Sequence, residues 1–458
     1  MSERETWSTR LGFILAAVGS AVGLGNIWQF PFQTASNGGA AFVIVYLAAV
    51  MLIGFPAMLA EFVVGRKTGR NPVDAFRELG GNSASIVGAL GVFIAFWILS
   101  FYSVVGGWVT RYIIGSARGA YFGNAEAYFL ETVYSGPEAL VFHAIFMALV
   151  IGVVALGVED GIELGTKVMV PSIVVLLVGL AAWAFTLDGA GPGYAYYLSP
   201  DLDSLAANFT SVLPAAVGQA FFTLSLGMGA MVTYASYLGD DDSLPVDGGL
   251  IVGMNTMVGL LAGLVVIPIL ATQMPVGEIS KSGGAGYLFI SMGAAFTKLP
   301  AGRILGAIFF AVLLLAALSS AISLLEVVVS YVTQNTGWDR KPAAAVFGLA
   351  VFLLGIPTAF SGTLTLNGVG ALTWYNDIAY NLLLPLSVLG VLIVVSWLRP
   401  GISARELVKG TSGGEQAATA WILAVRTFVI LAVIVTLALG LQDLAVTAGV
   451  LKEPIVAV

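Results

Sequence analysis

The sequence predicts an all-α, polytopic membrane protein, from its composition, the length of its apolar runs and a matched pair of glycine interruptions. Of 458 residues, 58% are hydrophobic and only 10% are charged, whereas soluble domains carry about 25% charged residues. Mean hydropathy is +0.96. Apolar runs long enough to cross roughly 30 Å of hydrocarbon, about 20 helical residues each, recur from Leu11 to Leu441. A transmembrane barrel would instead show short alternating strands.

Eleven membrane segments are read in order, at approximately 10–36, 40–66, 87–118, 139–157, 165–187, 213–238, 247–274, 303–335, 342–360, 371–398 and 419–441. The first runs into the stretch Gly19 to Pro31 with no small-residue cleavage site behind it, so it is expected to be a retained helix and not a signal peptide. Gly283 to Pro300 is broken by glycine and proline and is expected to form a short helical lid outside the bilayer core. With the N-terminus in the cytoplasm, most of the 19 basic residues fall inside, from Arg4, Arg10, Arg66 and Lys67 through Lys167, Arg340 and Lys341 to Arg399 and Arg426. No composition shift marks a second domain, so residues 1–458 read as one multi-pass transmembrane domain of the cell membrane.

Several function classes drop out. The chain has no cysteine, which removes disulfides, thiolate metal sites and cysteine nucleophiles. Its one histidine, His143, sits in an apolar run where packing or an interhelix hydrogen bond is the expected role. There is no Walker A pattern and no metal-ligand spacing, so an enzyme is not expected. Nor is a nucleic-acid partner. The block Asp240, Asp241, Asp242 is expected to be a solvated loop. Oligomeric state is not legible.

Two segments are interrupted alike. Segment one carries Gly19, Gly23 and Gly25, and segment six carries Gly227 and Gly229. If segments one to five and six to ten are two repeats, about 10–187 and 213–398 with an extra helix at about 419–441, these breaks correspond. Paired breaks point to discontinuous helices around a midplane site, because an unwound helix frees carbonyls for a cation and amides for an anion. Close helix packing through small residues would need the same glycines.

The neighbouring residues decide between these readings. Trp7-Ser8-Thr9-Arg10-Leu11-Gly12, Gly23-Leu24-Gly25-Asn26-Ile27-Trp28-Gln29-Phe30-Pro31 and Asn37-Gly38-Gly39 resemble the opening of the neurotransmitter:sodium symporter family. Gln219 to Gly227 resembles its sixth helix and Ala317 to Glu326 its eighth. The resemblance implies a 5+5 inverted repeat with helices one and six unwound, and a sodium-coupled symporter that imports a small, hydrophobic amino acid by alternating access. A transporter of another carboxylate-bearing solute, or a channel or sensor retaining the fold, is the alternative.

The resemblance also implies two sodium sites, and oxygen ligands suit such a hard cation. Site one would use Ala21, Asn26, Thr223 and Asn255 with the substrate's carboxylate; site two would use Gly19, Val22, Ala316, Ser319 and Ser320. The substrate would lie against Ala21, Gly23, Gly25, Phe222 and Thr223, with Tyr102 on its carboxylate and Ile98, Ser225, Met228, Ser320 and Leu324 around its side chain. Gly23 stands where amine-transporting members carry aspartate, which favours a substrate bringing its own carboxylate.

Three departures qualify the resemblance. The outer gate, with Tyr102 and Phe222, would have Gln29 facing Asn376 or Asp377 in place of an ion pair. The inner gate would be Arg4, Trp7, Ser236 and Tyr237, with Gln334 where the family has aspartate. The chloride region matches at Tyr46, Gln219 and Thr223 but has Gly259 at the position that decides chloride dependence, which leaves chloride open. The intramembrane acids Glu61 and Glu326 are read as structural, with proton coupling the lesser alternative.

Overall fold

The computed structural model describes residues 6–239, 241–279, 286–410 and 414–451. Among them, nine helices are long and apolar enough to cross a membrane, and two bent pairs bring the number to as many as eleven. Span one is the bent pair Arg10–Ala21 and Gly25–Ser36, turned by 49°. Spans two to five are Ala40–Thr68, Ser85–Arg118, Pro137–Ala155 and Val158–Ala184. In span six the helix Leu202–Thr223, which contains the second bend, is followed after the irregular stretch 224–229 by Ala230–Ala235. Spans seven to eleven are Leu244–Ala271, Gly302–Thr336, Arg340–Ala359, Ala371–Leu398 and Glu415–Thr447.

Burial ranks these helices. In span eight 72% of the apolar window is buried, and in span eleven only 22%, so span eight is the axis of the bundle and span eleven its rim. Small residues make that possible: Ala316, Ala317, Ser319, Ser320, Ala321 and Ser323 let neighbouring backbones come close. Spans four and nine are joined by His143, whose Nε2 lies 3.1 Å from the Phe352 carbonyl. That is the interhelix role expected of it.

The expected lid is the helix Tyr287–Lys298, too short at 12 residues to cross. Span six begins where expected: its site-bearing piece is Val212–Thr223, preceded by the short helix Leu202–Phe209 set at 88° to it. Asp201 caps that short helix by accepting from the Ser204 amide at 2.9 Å, and the polar first turns that follow do not register in hydropathy.

The acidic loop is also corrected. Asp240 lies outside the described residues, but Asp242 is not simply solvated: its carboxylate is 3.6 Å from Arg10, and its carbonyl accepts from Arg66 at 2.5 Å. Burial and the nearby Asp247 push the Asp242 carboxyl above its ordinary pKa, against the pull of Arg10 and Arg66. Arg66 is itself buried against Glu406 at 2.8 Å. These charges bind neighbouring ends of spans one, two and seven to the short helix Pro400–Val408.

Helix contact at glycine can be tested directly. A Cβ on Gly107 would fall 2.7 Å from the His143 backbone nitrogen, whereas one on Gly152 meets nothing within 4 Å. Gly107→Ala should cost about 1–3 kcal/mol of stability, and Gly152→Ala should cost nothing or gain up to about 1 kcal/mol from helix propensity. Thermal unfolding in detergent reads both; equal destabilisation would contradict this packing.

Candidate functional site

The site is built where spans one and six stop being regular. Span one leaves the α-helix at Val22 and resumes as a π-helical turn over Gly25–Gln29, a distortion common at functional sites. Span six unwinds because Ser225, Gly227 and Gly229 all have positive φ, at 53°, 79° and 72°. For Ser225 that conformation is uncommon and costs energy. The freed backbone groups find partners inside the protein. Glu61 accepts from the Gly227 amide at 2.7 Å, and Gln219 donates to the Gly25 carbonyl at 2.8 Å. The Ser20 carbonyl accepts from Ser225 Oγ at 2.8 Å and from Ser320 Oγ at 2.9 Å, which ties spans one, six and eight at one atom.

A small cavity lies between the breaks. Its walls include Ala21, Gly23, Gly25, Ile98, Tyr102, Phe222, Ser225, Met228, Ser320 and Leu324, all named from the sequence, together with Ser20 and Leu24, which were not. The polar end is formed by the Leu24 amide and the Tyr102 hydroxyl, 3.2 Å apart. The other end, of Ile98, Met228 and Leu324, is apolar and buried. The glycines are sterically required: a Cβ on Gly25 would sit 2.8 Å from the Phe222 ring, and one on Gly23 would be 2.9 Å from the Tyr102 hydroxyl and closer still to Ser320.

Two groups of oxygens flank this cavity. In the first, Asn26 Nδ2 donates to the Asn255 side chain at 2.8 Å, and the same Asn255 atom is 3.1 Å from the carbonyl oxygens of Ala21 and Thr223. Read as oxygen, it is an acceptor among acceptors, an arrangement that a cation satisfies. Read as nitrogen, it donates to both carbonyls. In the second group, Ser319 Oγ reaches the Ala316 carbonyl at 3.0 Å and that of Val22 at 3.3 Å, and Ser320 Oγ lies 3.4 Å from the carbonyls of Gly19 and Val22. All nine residues expected from the sequence are thus drawn into two clusters of neutral oxygen donors, which suit a hard monovalent cation.

Above the cavity, Tyr102 and Phe222 separate it from an outer vestibule of about 910 Å³, continuous with solvent, whose walls include Gln29, Asn376 and Asp377. No hydrogen bond joins Gln29 to Asn376 among the described residues; Asn376 Nδ2 donates to Asp377 at 3.2 Å instead. Below, the path is closed. The Trp7 indole donates to the Tyr234 carbonyl at 2.9 Å and packs edge-on to Tyr234 and Tyr237. Ser236 bonds within its own turn to Thr233. Arg4 lies outside the described residues. Gln334 is committed elsewhere, accepting from the backbone and side chain of Asn71, both at 2.9 Å.

In the chloride region, the Tyr46 hydroxyl points toward Thr223 and Thr256 without a hydrogen bond to either, and Thr256 Oγ1 and Gln219 Oε1 are also buried without partners. A Cβ on Gly259 would stand 3.8 Å from Asn26 Nδ2, so this position does border the first oxygen cluster. Sequence reading missed Thr256, although it directly follows Asn255. It also missed Glu163, which accepts from Ser8 and Thr9 and pairs with Lys167 at 2.7 Å. Gly12 leaves the space that the Glu163 carboxylate fills.

The chain is similar to known proteins along most of its length. A model of the Sodium:neurotransmitter symporter family matches residues 4–122 and 136–446. The sodium-dependent transporter YhdH of Bacillus subtilis (strain 168) is 36% identical over 451 residues, covering 95% of this chain and 98% of that one. The sodium-dependent transporter MJ1319 of Methanocaldococcus jannaschii is 35% identical, over 90% of this chain and 85% of its own. The crystal structure of MhsT in complex with L-phenylalanine superposes with a TM-score of 0.86 at 38% identity, covering 95% of this chain and 99% of that chain.

The first oxygen cluster carries a prediction about stability alone. Asn26 accepts from the Gly23 amide at 3.1 Å and donates to Asn255. Asn26→Ala leaves buried partners unpaired and should cost about 1–3 kcal/mol, read as a lower melting temperature in sodium-free buffer. An unchanged melting temperature would mean that these bonds do not hold the unwound segment.

Proposed function

The chain belongs to the sodium:neurotransmitter symporter family, whose members are membrane transporters and not enzymes, and on that premise we propose that it imports amino acids with apolar side chains, coupled to sodium. The observation that carries this reading is a cavity with amide and hydroxyl donors at one end, apolar walls at the other and an oxygen cluster on each flank. A substrate carboxylate would take donors from Leu24 and Tyr102, and would complete the first cluster at Ala21, Asn26, Thr223 and Asn255. Sodium there would neutralise that carboxylate, so each would bind better with the other present. A second sodium at Gly19, Val22, Ala316, Ser319 and Ser320 would hold span one against span eight.

An amine lacking a carboxylate would leave the Leu24 amide and Tyr102 without an anionic acceptor. Gly23 supplies no acid to replace it, and its Cβ space is taken by Ser320 and Tyr102. The side-chain end accepts apolar groups; Met228 can repack around different shapes. The protein is read as plasma-membrane located with its N-terminus inside, so that Trp7 closes the cytoplasmic end.

Uptake into proteoliposomes, with a panel of amino acids, tests the reading. Accumulation against a gradient should require sodium, and choline or potassium should not replace it. Equal uptake in choline, or currents far above any plausible turnover, would defeat it. Tyr102→Phe should weaken every substrate by about 1–3 kcal/mol, the worth of one charge-assisted hydrogen bond. Met228 and Leu324 substitutions should instead reorder side-chain preference.

Chloride forms part of the proposal on a separate observation. The buried hydroxyls of Tyr46 and Thr256 are donors without acceptors, and no carboxylate stands at Gly259. Replacing chloride by gluconate should therefore reduce sodium-dependent uptake, and Tyr46→Phe should weaken the chloride response. Uptake indifferent to chloride would remove the anion from the mechanism.

A further inference from the structure

Phe222 stands between the cavity and the outer vestibule and lines both, yet a phenyl ring has no polar atom to fix it there. Its neighbours set its position. Gly25 makes room for one edge, since a Cβ there would sit 2.8 Å from the ring. Tyr380, in the π-helical turn Ala379–Leu383 of span ten, packs against it with ring centroids 5.9 Å apart and planes tilted by 50°. Tyr380 also rests on Gly218, where a Cβ would fall 2.7 Å from its hydroxyl and 2.8 Å from its ring. The Tyr380 hydroxyl is buried and finds no hydrogen-bond partner among the described residues, so packing alone keeps this second ring in place.

We propose that Tyr380 is the positioning residue of the outer lid: it fills the space over Gly218 into which Phe222 would otherwise fall back, and so keeps that ring over the cavity. The inference rests on the transport reading above, in which the cavity holds the substrate, and deepens it by naming what sets the lid. Helix geometry gives the reason. Gly218 and Phe222 are four residues apart in span six and share a face, and a helical side chain leans back over the turn that precedes it. The ring at 222 therefore leans toward 218, where glycine puts no side chain in its way. Left open, that gap would let the ring lie down along the helix and uncover the cavity. Tyr380 occupies it from span ten. One turn earlier the same helix places Asn376 and Asp377 on the vestibule wall, so it shapes the entrance and sets the lid beneath it. The unpartnered hydroxyl narrows the role further. A buried oxygen without a partner costs free energy, so the ring, and not the phenol oxygen, is the part the lid uses.

The chain has no cysteine, so a single thiol can report on the lid. Ile98→Cys places it in the cavity wall, at a residue 1% exposed that does not line the vestibule. Its modification rate by a membrane-impermeant methanethiosulfonate is followed in sodium without substrate, in right-side-out and in inside-out vesicles. Tyr380→Ala should raise the rate from the vestibule face by about two- to tenfold, the worth of one aromatic contact, and leave the other face unchanged. Tyr380→Phe keeps the ring and should not raise it. Should Tyr380→Ala fail to fold, Tyr380→Leu removes the ring but keeps apolar bulk, and should raise the rate in the same direction. A folded Tyr380→Ala or Tyr380→Leu with an unchanged or lower rate overturns the proposal. So does an equal rise from both faces, or a Tyr380→Phe that raises the rate as far as loss of the ring. With no amino acid present, a mistaken substrate leaves these rates as expected, and a reversed topology only moves the rise to the other vesicle orientation, so those failures are separately visible.

Discussion

Everything in this protein follows from one constraint: a polar backbone group inside a bilayer must find its partner within the protein. Nine long helices meet it internally. Spans one and six do not, and the structure around them is arranged to absorb the groups they release. Ser20 gives its carbonyl to two hydroxyls, Glu61 takes the Gly227 amide, and Gln219 caps Gly25. Carbonyls such as those of Ala21, Val22 and Thr223, left only partly satisfied, are the groups a cation can use. The proposed substrate and sodium sites are therefore what remains of two broken helices after the protein has satisfied all the groups it can.

Much of this was legible in the sequence because the signals are local. A span declares itself in about 20 consecutive residues, and the breaks show as glycines within single segments. The oxygen donors fall in short stretches of helices one, six, seven and eight, so motif resemblance gathered them even though their partners are distant. Legibility ended where function depends on pairings set only by the fold. Glu163 meets Ser8 across 155 positions, and Arg66 meets Glu406 across 340. No window of sequence contains either pair. The expectation for the outer gate shows the same limit: Asn376 was identified as a partner for Gln29, but its amide is turned toward its own neighbour, Asp377.

The two ends of the transport path are closed by different physics. The outer side is wide and is lined by no ion pair among the described residues, with two aromatic rings between the cavity and the vestibule. The inner side is dense with charge, including Arg10 on Asp247, Arg66 on Glu406 and Arg340 on Glu326. A fully buried pair such as Arg66 with Glu406 contributes little net stability against apolar replacements, but breaking one costs several kcal/mol, about 3–5. Such pairs specify which helix ends meet on that side.

Span eleven carries a different implication. Its 33 residues, at about 1.5 Å of rise each, exceed the thickness of the hydrocarbon layer, and most of its apolar surface faces lipid. Such a helix adjusts to its surroundings by leaning. Its contact with the rest of the molecule includes Gly440, where a Cβ would fall 2.9 Å from the Cα of Asn381. Asn381 lies in the π-helical turn of span ten, just below Asn376 and Asp377. A lean of span eleven would therefore bear on span ten at Asn381, beneath the Asn376 and Asp377 that line the vestibule.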